Sequence, residues 1–317
     1  MADRKSTRRS TAPAGSLRSW VPIDADYRNR SGFDPRFLGD VTVGLPRVDG
    51  KRLRAADLLP TLTYQHFSVR LHRRRKLAAF TAVNISGAER YQRTGRAEDS
   101  WELDPRAAGF QTTQPAYKAP FHRGHLVMRL DPVWGRKKIA ERAEADTFHW
   151  TNCAPQHRRL NNPWWLSVET HVLKTARVTG QRVSVFSGPV LSLRDPWLYG
   201  VKVPLAYWKV IAWRTPGRAG GLRALGFIVR QDAEVRAAVQ GAREVPRAPG
   251  FEDTPTKVQG YQVRVAKIQE LTGLRFGRLA AATVDVMARQ QAGRPRARGE
   301  LVPEMRVLRG IGDLVVE

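Results

Sequence analysis

Phe121-His122-Arg123-Gly124-His125-Leu126 is followed, 27 residues after His125, by Asn152-Cys153-Ala154-Pro155-Gln156, and then by Leu160-Asn161-Asn162-Pro163-Trp164-Trp165 and Glu169. Phe121 to Met128 reads as a strand and Thr147 to Thr151 as a second candidate. Asn162-Pro163 carries the residue types favoured at a helix N-cap and first turn, and Gly180 suits the stop. The stretch therefore predicts two strands feeding directly into a helix.

On an extended chain side chains repeat their direction every second residue, so Arg123 and His125 face one groove while His122 faces away. Imidazole is the side chain that is mostly neutral yet basic near pH 7, which makes His125 the natural general base. Arg123 beside it is a fork for phosphate oxygens. The amide oxygen of Asn161 is a hard, neutral ligand suited to Mg²⁺, which keeps several waters and takes one or two protein ligands. Glu169 is 169 − 161 = 8 residues on, so about 12 Å along a helix axis, and would act through a metal-bound water. A base, a cation and a hydrated metal are what phosphodiester hydrolysis requires.

The surroundings agree with a polyanionic partner. The chain has 317 residues, with 54 Lys plus Arg against 29 Asp plus Glu, a formal net charge of +25. Such a surface attracts phosphate chains through counterion release. Basicity alone is shared with ribosomal and chromatin-like proteins, so the chemistry rests on the 121–169 stretch. The single cysteine, Cys153, excludes an intrachain disulfide, and within its Asn-x-Ala-Pro-Gln segment it reads as a small packing residue rather than a nucleophile. His122 and His125 form H-x-x-H but point to opposite faces and lack a third ligand, which argues against zinc.

Outward from this stretch, residues 1–20 read as a basic disordered arm and 21–61 as an irregular lead-in. The main domain is expected over 62–283, with 284–317 a basic C-terminal tail. Thr63 to Val69 and Leu77 to Ile85 alternate as a hairpin whose tip is the cluster Arg-Leu-His-Arg-Arg-Arg-Lys at 70–76. Arg73, Arg74 and Arg75 of that tip, with Lys209, are candidate nucleic-acid contacts, although a solvated turn is the blander reading of the tip. Val183 to Val190, Ala206 to Trp213 and Ala224 to Val229 read as three further strands, the last two joined by a Pro-Gly turn. Lys137 to Ala145 and Lys267 to Gly273 suit short helices.

The three ordered segments resemble the DNA/RNA non-specific endonucleases of the ββα-metal superfamily. That family's pattern D-R-G-H, S/T-N-x-A-P-Q and L-N-x-x-x-W-x-x-L/V-E corresponds here to 122–125, 151–156 and 160–169. Weaker matches, Phe186-Ser187-Gly188-Pro189, Pro204 to Lys209 and Leu271-Thr272-Gly273-Leu274, extend the likeness over about 62–277. The resemblance implies an α/β (α+β) fold, a central antiparallel sheet with flanking helices and a ββα-metal active-site unit. It implies metal-dependent cleavage of DNA and/or RNA, with Mg²⁺ as the cofactor and Mn²⁺ as a substitute.

By the same resemblance His125 is the base, Asn161 the direct ligand, Glu169 the carboxylate on metal-bound water, Arg123 a phosphate contact, and Arg96 a further arginine acting on the transition state. Asn152 shapes the site. The departure is His122, where the family has Asp. An imidazolium there would be repelled by the ion, so a catalytically impaired nucleic-acid-binding protein is the alternative reading. A cytoplasmic location with no membrane partner is expected: no secretory signal precedes the fold, while organelle targeting, a homodimer and an inhibitor or regulatory partner stay open.

Overall fold

Long runs of β-branched and aromatic residues, punctuated by charged or Gly-containing turns, decide the architecture. The computed structural model describes residues 23–24, 26–92, 100–160, 170–172, 174–176, 178–215, 221–239, 258–284 and 305–308. In chain order the elements are β1 (Arg47–Val48), β2 (Leu62–Tyr64), β3 (Phe67–His72), β4 (Leu77–Ser86), β5 (Phe121–His125), helix α1 (Lys137–Asp146) and β6 (Cys153–His157). Helix α2 follows, its described residues being 170–172, 174–176 and 178–179. Then come β7 (Arg182–Pro189), β8 (Trp197–Leu198), β9 (Val201–Lys202), β10 (Ala206–Arg214), β11 (Leu222–Arg230), α3 (Asp232–Ala238), β12 (Gln259–Val263), α4 (Val265–Thr272), β13 (Leu274–Arg275), α5 (Arg278–Ala281) and β14 (Met305–Leu308).

Eight strands form one antiparallel sheet in the order β14-β12-β11-β10-β7-β4-β3-β2. The expected hairpin is present: β3 and β4 pair from Phe67↔Val83 to His72↔Leu77, with the basic residues 73–76 at the turn. The centre, β10, is paired on both sides, Lys209 lying opposite Ser187 and Phe227. Strands buried on both faces read as continuous apolar runs, and β4 is buried over all ten of its residues.

Both faces are covered, one mainly by helices and the other by the short two-stranded unit. Trp208, Val210 and Ile228 share a buried cluster with Ile268 and Leu271 of α4 and Leu279 of α5. Val83, Val185, Ile211 and Phe227 share another with Leu126, Val127, Ala154 and Ala176. The second cluster seats β5, β6 and α2 against the sheet. Burying one such side chain stabilises by about 1.5–3 kcal/mol, so the short unit takes its rigidity from the sheet beneath it.

The fold is α+β, as the resemblance implied. Four local readings change. Thr147 to Thr151 is a strand candidate by its alternation, but only an isolated bridge, Glu102↔His149, precedes a 3₁₀ turn at Trp150–Asn152; the second strand of the unit is β6. Within the expected basic tail, Met305–Leu308 pairs with β12 as the sheet's edge strand. Phe33, Phe37, Leu38 and Val43 of the lead-in are core residues. Helix α3 and strand β12 had no counterpart in the sequence reading.

Candidate active site

Strands β5 and β6 pair antiparallel in the register His122↔Gln156, Arg123↔Pro155, Gly124↔Ala154 and His125↔Cys153. The alternation puts Arg123 and His125 on one side, and their shared neighbour demonstrates it. The Trp101 ring lies 4.6 Å from the His125 ring and 5.9 Å from Arg123 Cζ. Phe148 meets the His125 ring edge-on at 5.0 Å and 87°. Trp101 in turn packs on Phe148 and Trp150, at 5.5 and 5.4 Å. His125 is half-buried, its Nε2 lying beneath the surface, and Arg123 is exposed, so a packed imidazole and a solvated guanidinium lie on the same side of the strand.

The strand is clamped from its other side and from its end. A Cβ on Gly124 would stand 2.5 Å from Cγ of Gln156 and nearer still to its Cδ, so any larger residue here would have to displace the buried Gln156 side chain that lies across it. Asn152 is fully buried: its Oδ1 accepts from Val127 N at 2.8 Å, and its amide donates to the carbonyls of Val127 and Thr147 at 3.0 and 2.9 Å. Every one of these bonds is to backbone, which leaves the side chain shaping the segment after His125 rather than reaching a ligand. His122 is exposed. Cys153 is completely buried, and burial pushes its thiol well above the ordinary range, so it is an inert packing residue.

Behind the aromatic pocket lies a block of buried charge. Asp146 accepts from Arg30 Nε and Nη2 at 2.7 and 3.0 Å and from Gln65 N at 2.8 Å, both ionic side chains being wholly buried. His149 Nδ1 meets the Asp146 carbonyl at 2.8 Å, and its Nε2 meets the Tyr27 hydroxyl at 2.8 Å. Burial holds this imidazole below its usual pKa, the Asp146 carboxylate opposing only in part. A carbonyl can only accept, so Nδ1 carries the proton and Nε2 accepts from Tyr27, whose own pKa is raised to about 12, chiefly by burial. Tyr64 donates to Asp104, which Arg106 also binds at 2.7 Å. Burial acts to raise the Asp104 pKa, but these two hydrogen bonds outweigh it and hold the carboxyl below the ordinary range.

Among the described residues, no group of three or more His, Cys, Asp and Glu side chains is placed to hold a metal ion. The rings seen packed on His125 are those of Trp101 and Phe148. Asn161, Glu169 and Arg96 lie outside the described residues. Of the four surface cations, Arg73 and Arg74 are exposed, as expected. The other two are corrections. Lys209 is 2% exposed in the central strand, out of reach of any polyanion. Arg75 is turned inward to Asp195, at 2.5 Å, because that buried carboxylate needs a counter-charge. Trp101 and Phe148 are the site residues that sequence reasoning missed. Their one local signal is the Phe148-His149-Trp150 alternation, which had been ascribed to a strand.

A family model described as DNA/RNA non-specific endonuclease matches residues 53–282. The chain is 37% identical over 273 residues to uncharacterized protein y4fB of Sinorhizobium fredii, covering 79% of this chain and 39% of that protein. It is 29% identical over 191 residues to mitochondrial endonuclease G of Bos taurus, covering 56% of this chain and 55% of that one. With mitochondrial nuclease EXOG of Danio rerio it shares 26% identity over 212 residues, 62% of this chain and 54% of the other. The chain thus spans roughly two-fifths to just over half of these relatives' lengths. A chain in the solved EndoG/EndoGI complex, a structure described as giving the mechanism of EndoG inhibition, shares the fold with a TM-score of 0.50 and 18% identity. That match covers 74% of this chain and 87% of the other.

Proposed function

The chain belongs to the DNA/RNA non-specific endonuclease family, and we propose that it hydrolyses phosphodiester bonds in DNA and/or RNA with little sequence preference, His125 being the general base. The observation that carries this reading is the convergence of Arg123 and His125 on Trp101, from one side of a strand within the matched region.

In this reading the His125 imidazole, oriented by Trp101 and Phe148, takes the proton from the attacking water, and Arg123 neutralises charge on the phosphoryl oxygens. Arg96 contributes further positive charge to the transition state. Asn161 would hold a single Mg²⁺, or Mn²⁺, with Glu169 assisting through water. When bound, that ion supplies the additional charge neutralisation that the leaving oxygen needs. The exposed imidazole of His122, where the family carries Asp, leaves this chain one negative charge short near the ion. The likeness to EndoG in its complex with EndoGI supports an inhibitor protein as partner, which co-purification in stoichiometric amount from the native source would test.

The test is nicking of supercoiled plasmid by the purified chain across a magnesium titration, beside the variants His125→Ala and His122→Asp. We expect chelator-sensitive nicking that His125→Ala abolishes while low-salt binding persists, and that His122→Asp raises. Equal nicking by His125→Ala removes the mechanism. Binding with no nicking at any metal concentration, unrestored by His122→Asp, identifies a nucleic-acid-binding protein instead.

A further inference from the structure

A cavity of about 450 Å³ lies between the β3–β4 turn and the β8–β9 hairpin, with no part of the His125 pocket in its lining. Its rim is cationic: Arg52, Arg74 and Lys76 are exposed there, and among the described residues none of the three has an ion-pair partner. Its floor is apolar, formed by Leu53, Val201 and Leu274, all buried. At the edge stands Trp197, 65% exposed, with Lys202 Nζ 5.8 Å from its ring.

The wall is built rather than incidental. Arg75 binds the carbonyls of Ser192 and Lys202 at 2.8 and 2.9 Å as well as the Asp195 carboxylate, tying three stretches of chain together. Its Nε is a buried donor with no acceptor among the described residues. Lys202 Nζ donates to the Leu193 carbonyl at 2.7 Å. The same hairpin is docked on the entrance to the site strand: Tyr199 donates to the Ala119 carbonyl at 3.3 Å, and Lys118 Nζ lies 5.9 Å from the Tyr199 ring. From Ala119 to Arg123 is four residues, on the order of 13 Å along extended chain, a distance that a few nucleotides of a strand cover.

An apolar slot with an exposed indole at its edge and unpaired cations on its rim matches a base joined to a phosphate, since stacking is indifferent to base identity and Lys/Arg contacts hold the backbone. We propose that this cavity is a second nucleotide site, which takes one nucleotide of a single-stranded segment that passes Arg123 and His125 a few nucleotides further along. An acidic peptide would leave the apolar floor and the indole without partners. The assignment of the occupant to the substrate strand rests on the proposed nuclease reading; the binding itself does not.

For that reason the experiment measures binding without turnover. Fluorescence anisotropy of a labelled 12-nucleotide single strand, in chelator at fixed salt, is compared for the full chain and for its variants Trp197→Ala and Arg74→Glu. Competition by a nucleoside monophosphate and by a tetranucleotide runs alongside. Trp197 is exposed and Arg74 unpaired, so both variants should keep the parent's thermal transition. We expect roughly tenfold weaker binding of the 12-mer by Trp197→Ala on loss of one base stack, a smaller loss for Arg74→Glu, and weak competition by the monophosphate that Trp197→Ala removes. Unchanged 12-mer affinity in both folded variants overturns the proposal. So does monophosphate binding at the cavity with no effect on the 12-mer, which would assign a free-nucleotide site in place of a strand site. If the 12-mer result holds but no plasmid is ever nicked, the nuclease reading fails and the cavity survives.

Discussion

Along residues 146–151 the side chains alternate between two environments that share nothing but a backbone. Phe148 and Trp150 turn toward Trp101 and the half-buried His125, whereas Asp146, His149 and Thr151 turn into the block of buried charge. In the block, the Asp146 carboxylate and the His149 ring are committed to fixed partners. On the site side, Arg123 is solvated and its neighbours are rings that orient without competing for protons. The difference teaches a division of labour: the block spends its charges on holding the segment still, so that the aromatic wall of the site stays in place without polar groups of its own.

The largest break in this comparison comes from the block. Replacing Asp146 by Asn keeps an acceptor for Gln65 N but leaves the wholly buried Arg30 guanidinium only the longer, half-exposed Asp24 carboxylate at 3.4 Å as counter-charge. Removing one partner of a buried pair costs about 3–5 kcal/mol, much of it the penalty on the orphaned ion. Urea denaturation should report a loss of that size. The exposed pair Arg28–Asp26 is the control; Asp26→Asn should leave the urea transition close to the parent's, because solvent screens that pair. A loss below 1 kcal/mol for Asp146→Asn would mean that the block does not anchor the segment.

Acid sharpens the comparison next. His66 sits at the block's edge, its backbone N–H on Ser31 and its ring stacked on Trp134, and burial lowers its pKa to about 4. Because the folded pKa lies below the unfolded 6.5, the unfolded chain takes up protons between pH 6.5 and 4 that the folded chain refuses. Stability therefore falls as pH falls through that window, by about 3 kcal/mol for this group alone, and no further below it. His66→Asn suits the position's φ of +68°, which Asn tolerates, and removes the titration. Its stability should change less steeply between pH 6.5 and 4 than the parent's; an identical slope would locate the acid sensitivity elsewhere.

What was legible in the sequence follows from the range of the interactions involved. Strands β7, β10 and β11 announced themselves through continuous apolar and β-branched runs, and the Arg123/His125 pairing through a spacing of two. Trp101 and Phe148 are brought to His125 from 24 and 23 residues away by tertiary packing, which leaves no period to read. Charge composition misplaced Arg75 and Lys209, because a formal charge carries no information about burial; each lies where a partner or a central strand takes it. Met305–Leu308 is too short, and set in too basic a stretch, for its edge pairing to stand out from the tail.

The smallest expected loss of stability falls on the strand of the site itself. The buried Gln156 side chain occupies the space a Cβ on Gly124 would need, and Gln156 Oε1 finds no donor among the described residues. Gln156 is therefore there for its shape rather than for a hydrogen bond, and the clash in Gly124→Ala should cost about 1–3 kcal/mol as overpacking. The strand must yield by some tenths of an ångström to an ångström beside His125, and a displacement of that size can cost on the order of a hundredfold in rate. Shortening the partner, Gln156→Ala, should return most of both losses in the double variant, since the two changes act on one volume and cannot be additive. Losses that simply sum would show that Gly124 is needed for its backbone alone, and the tight closure of β5 on β6 would then have no part in aiming the imidazole.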